Sequence, residues 1–213
     1  MTLATSKIID LKNIATCHRL AFPDSYASKL GEKYCMKMFE WYIESNNGLL
    51  FHLLNEKGIC TGYCGSIMND GKLDAGSSSS IMQYSFRQGI KSLCFRPWLL
   101  FNSEVISNYK LIQKNILVRL GVKKHTRTQE NKQQLSKDPH MGLVVIGVRS
   151  DMQGNGIGGK LLKELEKRTN DLGIKKMKLT VEEYNKTALK AYIKNGWEIM
   201  SSSSGKIHMS KSL

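Results

Sequence analysis

The sequence of 213 residues lacks the features of membrane-spanning, secreted and metal-binding proteins. No run of about 18 apolar residues occurs, so no transmembrane helix is expected. The segment after Met1 lacks the apolar run of a secretory signal, and a cytoplasmic location is therefore expected. The five cysteines form an odd, scattered set that makes a poor disulfide framework, and no histidine and cysteine group has zinc-ligand spacing. We interpret the cysteines as reduced core thiols and expect no metal.

Acidic residues are scarce, because 18 Asp and Glu stand against 32 Lys and Arg, and the formal net charge is +14. This excess indicates an anionic partner, whether nucleic acid, a phosphate-rich cofactor or a nucleotide-linked substrate. A solvated basic surface without a specific partner is the alternative. No zinc finger, RNP-like strand or basic zipper occurs, so nucleic acid is not the expected partner.

Apolar periodicity predicts the elements of the first part of the chain. In chain order they are a strand over residues 6–11, helices over 11–21 and 30–44, and a strand pair over 49–55 and 59–68. An insertion at about 75–138 follows, with predicted helices over 81–95 and 105–120 and a mobile cationic loop over 121–137.

The last third of the chain alternates more clearly between strands and helices. A continuous apolar run over 141–148 predicts a buried central strand. After it come a predicted amphipathic helix over 156–172, a strand over 177–181, a helix over 185–195 and a hairpin of 197–200 with 206–209. The sequence therefore predicts one α/β (α+β) domain over 1–213, with a mixed central sheet flanked by helices and a helical insertion between the third and fourth strands.

A glycine-rich turn joins the strand predicted at 141–148 to the helix after it. In Gln153-Gly-Asn-Gly-Ile-Gly-Gly159, four glycines let the backbone approach a ligand closely and expose consecutive N–H groups. The helix adds its unpaired N–H groups and its positive dipole end. Together these features predict a site for a phosphate or pyrophosphate. The Walker pattern is absent, and the dinucleotide fingerprint is matched poorly.

Three motifs, in the right order, resemble the GCN5-related N-acetyltransferase (GNAT) superfamily. Gln153-Gly-Asn-Gly-Ile-Gly158 resembles the family's Gln/Arg-x-x-Gly-x-Gly/Ala signature, and Val145-Ile-Gly-Val148 resembles its fourth strand. Residues 179–185 and 188–197 resemble the fifth strand and the helix after it, with Trp197 where a phenylalanine is usual. The resemblance covers about residues 140–213 closely and the first half only by the order of elements.

The resemblance implies that the chain binds acetyl-CoA as co-substrate in a core at about 140–200. Backbone groups of Ile146 and Val148 would bond the pantetheine arm as an added strand does. The pyrophosphate would be held by the turn, that is by Gln153, Gly154, Asn155, Gly156, Ile157, Gly158 and Gly159.

Three further residues have implied contacts with the cofactor. Asn185 would contact the arm or the adenine side. Arg149 and Lys194 would meet the ribose phosphate, and for both a solvated charge is the alternative reading.

Tyr192 and His140 are the predicted catalytic residues. Many members of the family that the chain resembles have a tyrosine at the position of Tyr192. The resemblance implies that its phenol protonates the leaving thiolate, and packing in the core or against the cofactor is the alternative role. The Val148 N–H would stabilise the oxyanion. Relatives often carry a carboxylate near the start of the fourth strand, but this chain has none over 139–150. His140 is therefore the predicted base, with a plain surface histidine as the alternative. Weaker candidates for the base are Tyr63, Glu182 and Glu183.

The acceptor is predicted to be a primary amine of a small molecule, such as an amino sugar or a nucleotide-linked amino sugar. Aromatic residues and Arg96 in the insertion suit a sugar, and they suit the core of a helical subdomain equally well. Protein or peptide N-acetylation and a non-catalytic acetyl-CoA-binding module stay open. The oligomeric state also stays open, a homodimer included.

Overall fold

The computed structural model describes residues 1–70, 78–101 and 138–213. Within them, one mixed sheet runs in the order β1-β2-β3-β4-β5-β7-β6. The strands are β1 (Thr2–Thr5), β2 (Gly48–Leu54), β3 (Cys60–Asn69), β4 (His140–Val148), β5 (Lys176–Glu182), β6 (Glu198–Ser203) and β7 (Lys206–Ser212). Among the described pairs, β4 and β5 are parallel and the rest are antiparallel.

Six described helices cover this sheet. They are α1 (Leu11–Ala21), α2 (Tyr26–Leu30), α3 (Glu32–Glu44), α4 (Ser78–Phe95), α5 (Ile157–Asp171) and α6 (Lys186–Lys194). Short 3-10 turns occupy Ile8–Asp10, Pro97–Phe101 and Ser150–Met152. No described helix has an apolar stretch of the length that crosses a bilayer.

Two apolar cores lie on opposite faces of the sheet. On one face, α1 and α3 pack over β2, β3 and β4 through residues such as Ile14, Phe39 and Tyr63. On the other, α5 and α6 contribute Leu161 and Tyr192 to a core that spans β2 to β7. Alternate residues of β2 and of β3 feed the two cores.

The first predicted strand is wrong. β1 is Thr2–Thr5, and the chain leaves the sheet at Ser6, whose N–H still donates to the Leu50 carbonyl at 3.0 Å. The Asp10 carboxylate then accepts the Lys7 N–H at 2.8 Å and starts the turn that leads into α1. This local hydrogen bond competes with the apolar pair Ile8 and Ile9, whose β propensity suggested a strand and which stay 51% and 87% exposed.

The other predicted elements within the described residues are confirmed to within a few positions. The helix predicted over 81–95 begins earlier, at Ser78, and packs on α3. The strand predicted over 141–148 is central, as expected, but it is not buried throughout, because Val144 is 38% exposed. The helix predicted over 105–120 and the loop predicted over 121–137 lie outside the described residues.

Candidate active site

A cleft opens between β4 and β5. The two strands pair only where Met141–Leu143 lies beside Met177–Leu179. Beyond that point β4 continues to Val148 and β5 continues to Glu182 without pairing to each other. Among the described residues, the facing strand edges therefore carry backbone groups that strand pairing does not use, and such groups can bond a ligand, as at any exposed sheet edge. We call this wedge the interstrand cleft, and Leu143 and Leu179 mark its closed end.

A bulge in β4 lies next to the closed end. The pairing with β3 shifts between Gly65–Val145 and Ser66–Leu143, which leaves Val144 as an extra residue of β4. A bulge bends its strand and increases the local twist. The bend therefore lies where β4 separates from β5, and it leaves Val144 partly exposed.

The backbone of β4 alternates between its two neighbours. The Arg149 N–H donates to the Thr61 carbonyl of β3 at 3.0 Å. In an antiparallel ladder every second residue faces the same neighbour, so Gly147 also faces β3. The N–H and C=O groups of Ile146 and Val148 consequently face the interstrand cleft. The Gln153 side chain donates to the Val148 carbonyl at 3.2 Å, which confirms that this carbonyl points away from β3.

The glycine-rich turn forms the mouth of the cleft. Gly154 and Gly156 have φ of 81° and 72°, a conformation that strongly favours glycine. A Cβ built at Gly154, Gly156 or Gly158 meets no atom of the described part of the chain within 4 Å, so the described surface above these glycines is open. Gly156 is the N-cap of α5 and offers no side chain to the first-turn N–H groups. This turn can accept an anion at exposed N–H groups, which is what a pyrophosphate requires.

Of the three polar residues predicted to flank the cofactor, Arg149 and Asn185 have partners within the protein. Arg149 makes two hydrogen bonds to Asp151, at 3.0 and 2.9 Å, which raise its pKa. Asn185 caps α6, where its side-chain oxygen accepts the Ala188 N–H at 3.1 Å. Lys194 ends α6 in an exposed position, and the next residue, Asn195, lies 3.7 Å from the site of a Cβ on Gly159. The end of α6 therefore lies beside the first turn of α5.

Tyr192 is a core residue with a hydroxyl that has no hydrogen-bond partner among the described residues. Its side chain is 9% exposed and packs against Trp197, with ring centroids 6.0 Å apart. Burial, with a smaller effect of the nearby Cys64 thiol, raises the pKa of Tyr192 to about 12. The phenol is therefore protonated at neutral pH and can act only as a proton donor there.

His140 starts β4, at the end of the strand opposite the glycine-rich turn. Its Nδ1 donates to the Asp138 carbonyl at 2.9 Å, because a carbonyl only accepts, and this leaves Nε2 with the lone pair of a base. Burial first, and the nearby Lys178 and Lys176 after it, lower the pKa of His140, whereas the bond to Asp138 opposes them. His140 is thus neutral at pH 7, but it lies about 10 Å along the strand from Leu143.

The weaker base candidates are poorly placed. Tyr63 is fully buried, its hydroxyl is hydrogen-bonded to His18 Nδ1, and burial raises its pKa far above the ordinary value. Glu182 lies 3.7 Å from the Lys206 ammonium. Glu183 follows β5 and is exposed, away from the closed end of the cleft.

His208 of β7 was not among the site residues predicted from the sequence. Met177 and Leu179 of β5 point into the core under α5, so Lys178 and Thr180 point to the opposite face. On that face the Thr180 hydroxyl is 2.9 Å from His208 Nδ1 of β7. We call this side of β4, β5 and β7, opposite α5 and α6, the open face, although α1 packs over part of β4 on the same side. The alternation of Ile207, His208 and Met209 was the available signal, because it separates the histidine from the apolar face.

The Arg96 side chain bonds to the backbone of α2. Its guanidinium donates to the carbonyls of Lys29 and Leu30, at 3.1 and 2.7 Å, and so ties the end of α4 to α2. Trp98 is 64% exposed, so it forms no core within the described residues. The described part of the chain also holds no cluster of three His, Cys, Asp or Glu residues that could bind a metal ion.

Comparisons with known proteins agree with this architecture. Residues 121–197 match the model of the family described as Acetyltransferase (GNAT) family. No curated protein matches the chain. Solved acetyltransferases share the fold at low sequence identity. PaiA N-acetyltransferase from Thermoplasma acidophilum, in complex with coenzyme A, is 13% identical with a TM-score of 0.58, and the match covers 100% of this chain and 98% of that one.

Two further solved structures differ in their acceptors. The ribosomal-protein-S18-alanine N-acetyltransferase from Escherichia coli is 14% identical, with a TM-score of 0.55 and coverage of 99% and 92% of the two chains. A phosphinothricin acetyltransferase from Sinorhizobium meliloti, in complex with AcCoA, is 16% identical, with a TM-score of 0.55 and coverage of 100% and 88%. At these identities the likeness shows the fold alone.

The fold, with its cleft and glycine-rich turn, and the family match define an acetyltransferase that uses acetyl-CoA as co-substrate. Residues 121–197 carry the match to the GNAT family model, and the chain shares the fold of solved acetyltransferases. The predictions of family, fold class and co-substrate from the sequence are thereby confirmed.

Proposed function

We propose that the chain transfers an acetyl group from acetyl-CoA to a primary amine of a small molecule, by direct attack in a ternary complex. The observation that carries this proposal is the end of the β4–β5 ladder at Leu143 and Leu179, with an anion-binding turn at the open end of the same cleft. The cleft offers a path from that turn to a closed end in the middle of the sheet. The amine approaches the closed end from the open face, because α5 and α6 cover the other side.

The cleft fits the co-substrate in three respects. Exposed N–H groups from Gln153 to Gly159 would hold the pyrophosphate at the mouth. Cleft-facing groups of Ile146 and Val148 would bond the arm as a neighbouring strand does. No atom of the described residues lies within 4 Å of a Cβ built at Gly154, Gly156 or Gly158, which leaves room for the pyrophosphate. When bound, acetyl-CoA supplies an activated acyl carbon and a thiol leaving group.

Asn185, Arg149 and Lys194 would have secondary parts in cofactor binding. Asn185 uses its oxygen as a cap and keeps its amide N–H₂ for an acceptor on the cofactor. Arg149 would have to leave Asp151 or share its guanidinium to meet a phosphate. Lys194 lies at the end of α6 that adjoins the first turn of α5, near the mouth.

The oxyanion donor is better placed near Val144 than at Val148. Val148 lies next to the mouth, and Val144 lies about 13 Å further down the strand, at the closed end. The thioester terminates the arm that starts at the pyrophosphate, so it would reach the closed end. Backbone N–H groups at the bulge would then face the developing charge.

A histidine of the open face would accept the proton of the amine. His140 offers a neutral imidazole with Nε2 free, at the far end of β4. His208 is held by Thr180, the residue directly after the closed end. His208 thus lies nearer to the closed end, and His140 would require a relay through water.

Tyr192 would donate the proton that the thiolate takes as it leaves. Its raised pKa of about 12 is far from the ordinary thiol value of about 8.5. The same burial raises the pKa of the Cys64 thiol, however, so a thiolate that forms beside Tyr192 is also a stronger base than in water. The difference in pKa between the Tyr192 phenol and the leaving thiol is therefore smaller within the cleft than the reference values suggest.

Two other functions remain to be separated from this one. A protein or peptide acceptor would need an extended groove, and a non-catalytic acetyl-CoA-binding module would need no base. We favour a small amine because polar side chains, including two histidines, line the open face beside the closed end. A cytoplasmic location and a single domain over 1–213, with the insertion at about 75–138, remain part of the proposal.

The test is an acetyl-transfer assay followed by mass spectrometry of the products. The purified chain is incubated with acetyl-CoA and a panel of small amines, a set of peptides with free N-termini, and buffer alone. Acetylated small amines at rates above buffer support the proposal. If only the peptides are acetylated, the chain is a protein or peptide N-acetyltransferase instead. Binding of acetyl-CoA with turnover of no acceptor would favour the non-catalytic module.

A further inference from the structure

Among the described residues, positive charge exceeds negative charge on the open face beside the closed end of the cleft. Lys176 and Lys178 of β5 alternate with the core residues Met177 and Leu179, so both ammonium groups project from the open face. His140 of β4 lies close enough to both lysines for their charges to lower its pKa. The acid with a resolved effect on the pKa of Lys178 is Asp138, and that effect comes after burial and the Lys176 charge.

Lys178 is the member of this group nearest to the reaction. It pairs with Gly142 of β4 on one side and with Ser210 of β7 on the other. It directly precedes Leu179, the last paired residue of β5. Because neither neighbour has a long side chain, the lysine stem has room to lie across the open face. Its ammonium group is therefore within one side-chain length of the closed end.

The Lys178 ammonium group lacks a partner in the described parts of the chain, where no ion pair or hydrogen bond reaches it. It is also partly buried, and burial together with the Lys176 charge lowers its pKa. A partly buried charge without a partner costs free energy, which a bound anion would recover. Lys206, at the other end of the same face, shows the contrast, because Glu182 lies 3.7 Å from it.

We infer that the amine acceptor carries an anionic group, a carboxylate or a phosphate, which Lys178 binds with help from Lys176 while the amine lies at the closed end of the cleft. This inference rests on the proposed function and names its class of substrate. An ammonium ion and a carboxylate or phosphate a few bonds apart occur together in amino acids, amino-alkyl phosphates and phosphorylated amino sugars. Lys178 would act as a specificity residue, and it transfers no proton in this role.

Matched pairs of acceptors test the inference. Initial rates are measured for glycine against glycinamide, O-phosphoethanolamine against ethanolamine, and glucosamine 6-phosphate against glucosamine. The first pair reports on a carboxylate and the other two on a phosphate. The wild type should favour the anionic member of at least one pair. Lys178→Met should lower kcat/KM for that member by about 10- to 100-fold, as expected for loss of a charge-assisted hydrogen bond, and leave the neutral member within about twofold.

Lys163→Met is the control for a general loss of positive charge, because Lys163 is exposed on α5, on the other side of the sheet. It should change neither member of a pair. Lys178→Glu should lower activity with the anionic member further and spare the neutral one. Calorimetric titration of each anionic compound into CoA-loaded protein gives a second readout that does not depend on turnover.

The failure of this inference is distinguishable from failure of the proposed function. A chain that does not bind acetyl-CoA loses the proposed function first. If the chain binds acetyl-CoA and acetylates neutral amines as fast as their anionic counterparts, only the inference of an anionic acceptor fails. The inference is also wrong if Lys178→Met leaves the anionic preference intact, or if no anionic compound is turned over or bound at millimolar concentration.

Discussion

Leu143 of β4 and Leu179 of β5 are the last pair of residues that join the two parallel strands. Both side chains are buried in the core under α5, so the closed end of the cleft is anchored by packing. Beyond this pair, β4 passes through its bulge and β5 keeps its ladder with β7. The cleft is thus built into the sheet and needs no movement to form.

Replacement of Tyr192 by phenylalanine should lower kcat by about 10- to 100-fold and leave the affinity for acetyl-CoA unchanged, because the ring and its packing on Trp197 are kept while the proton donor is lost. Steady-state kinetics with calorimetry of acetyl-CoA binding measures both quantities. Equal kcat for the wild type and Tyr192→Phe would show that Tyr192 has a packing role and is not the proton donor.

The same variant makes a prediction about stability at high pH. The pKa of Tyr192 is raised from 10.0 to about 12, so the unfolded chain loses this proton first. The free energy of unfolding should therefore fall between pH 10 and pH 12, by at most about 3 kcal/mol from this group. Urea unfolding of Tyr192→Phe should show a smaller fall over that range than the wild type.

The two histidines of the open face should differ in their effect on the pH dependence of kcat/KM. A neutral imidazole acts as base, so activity is lost as the pH falls through its pKa. The pKa of His140 is lowered, and a rate controlled by it would fall only below pH 6.5. His208→Gln and His140→Gln are compared, and the variant that loses the acidic limb identifies the base. Unchanged profiles in both would show that neither is the base.

His18 should make the fold sensitive to acid. Burial lowers its pKa from 6.5 to about 4, and its Nε2 has no partner among the described residues. Below pH 6.5 the unfolded chain binds a proton that the folded chain does not, so stability falls as the pH drops towards 4. The loss should be about 3 kcal/mol. Urea unfolding at pH 4.5 and pH 7 should show a smaller difference for His18→Gln than for the wild type.

Gly147 should not tolerate a side chain. A Cβ at this position would lie 2.6 Å from the ring of Tyr63, which is fully buried and cannot move aside. Gly147→Ala should therefore destabilise the protein by about 1 to 3 kcal/mol. Gly142→Ala, in the same strand with its nearest atom at 3.5 Å, is the matched control. Equal unfolding midpoints for the two variants would contradict the packing described for Tyr63.

The sequence predicted the second half of the fold well because its signals are local. The apolar stripe of α5, the glycine at each end of it, and the alternation in β5 each depend on a few neighbouring residues. Gln153 to Gly159 could be identified as an anion-binding turn for the same reason. The first strand was misplaced because Ile8 and Ile9 have β propensity, whereas the Lys7–Asp10 hydrogen bond that overrides it is not visible in composition.

The cleft and the open face could not be read from the sequence, because they depend on pairing between distant segments. Nothing in the apolar run over 141–148 shows that β4 stops pairing with β5 after Leu143, or that Val144 forms a bulge. His208 and Thr180 are 28 positions apart, and only the register of β5 with β7 brings them together. The position of Lys178 between the small residues Gly142 and Ser210 likewise depends on the pairing of β5 with β4 and β7.

The assignment of the cleft as the acetyl-CoA site is tested by calorimetric titration of acetyl-CoA into the wild type, Gly156→Glu and Gly173→Glu. Gly156 and Gly173 both have φ of 72° with no atom within 4 Å of an added Cβ, so the two substitutions impose similar backbone strain. Gly156 lies at the mouth of the cleft, whereas Gly173 follows the far end of α5. We expect the wild type and Gly173→Glu to bind acetyl-CoA, and a folded Gly156→Glu to have lost binding. Binding of equal strength by all three proteins, or by none of them, would contradict the assignment of the cleft as the acetyl-CoA site.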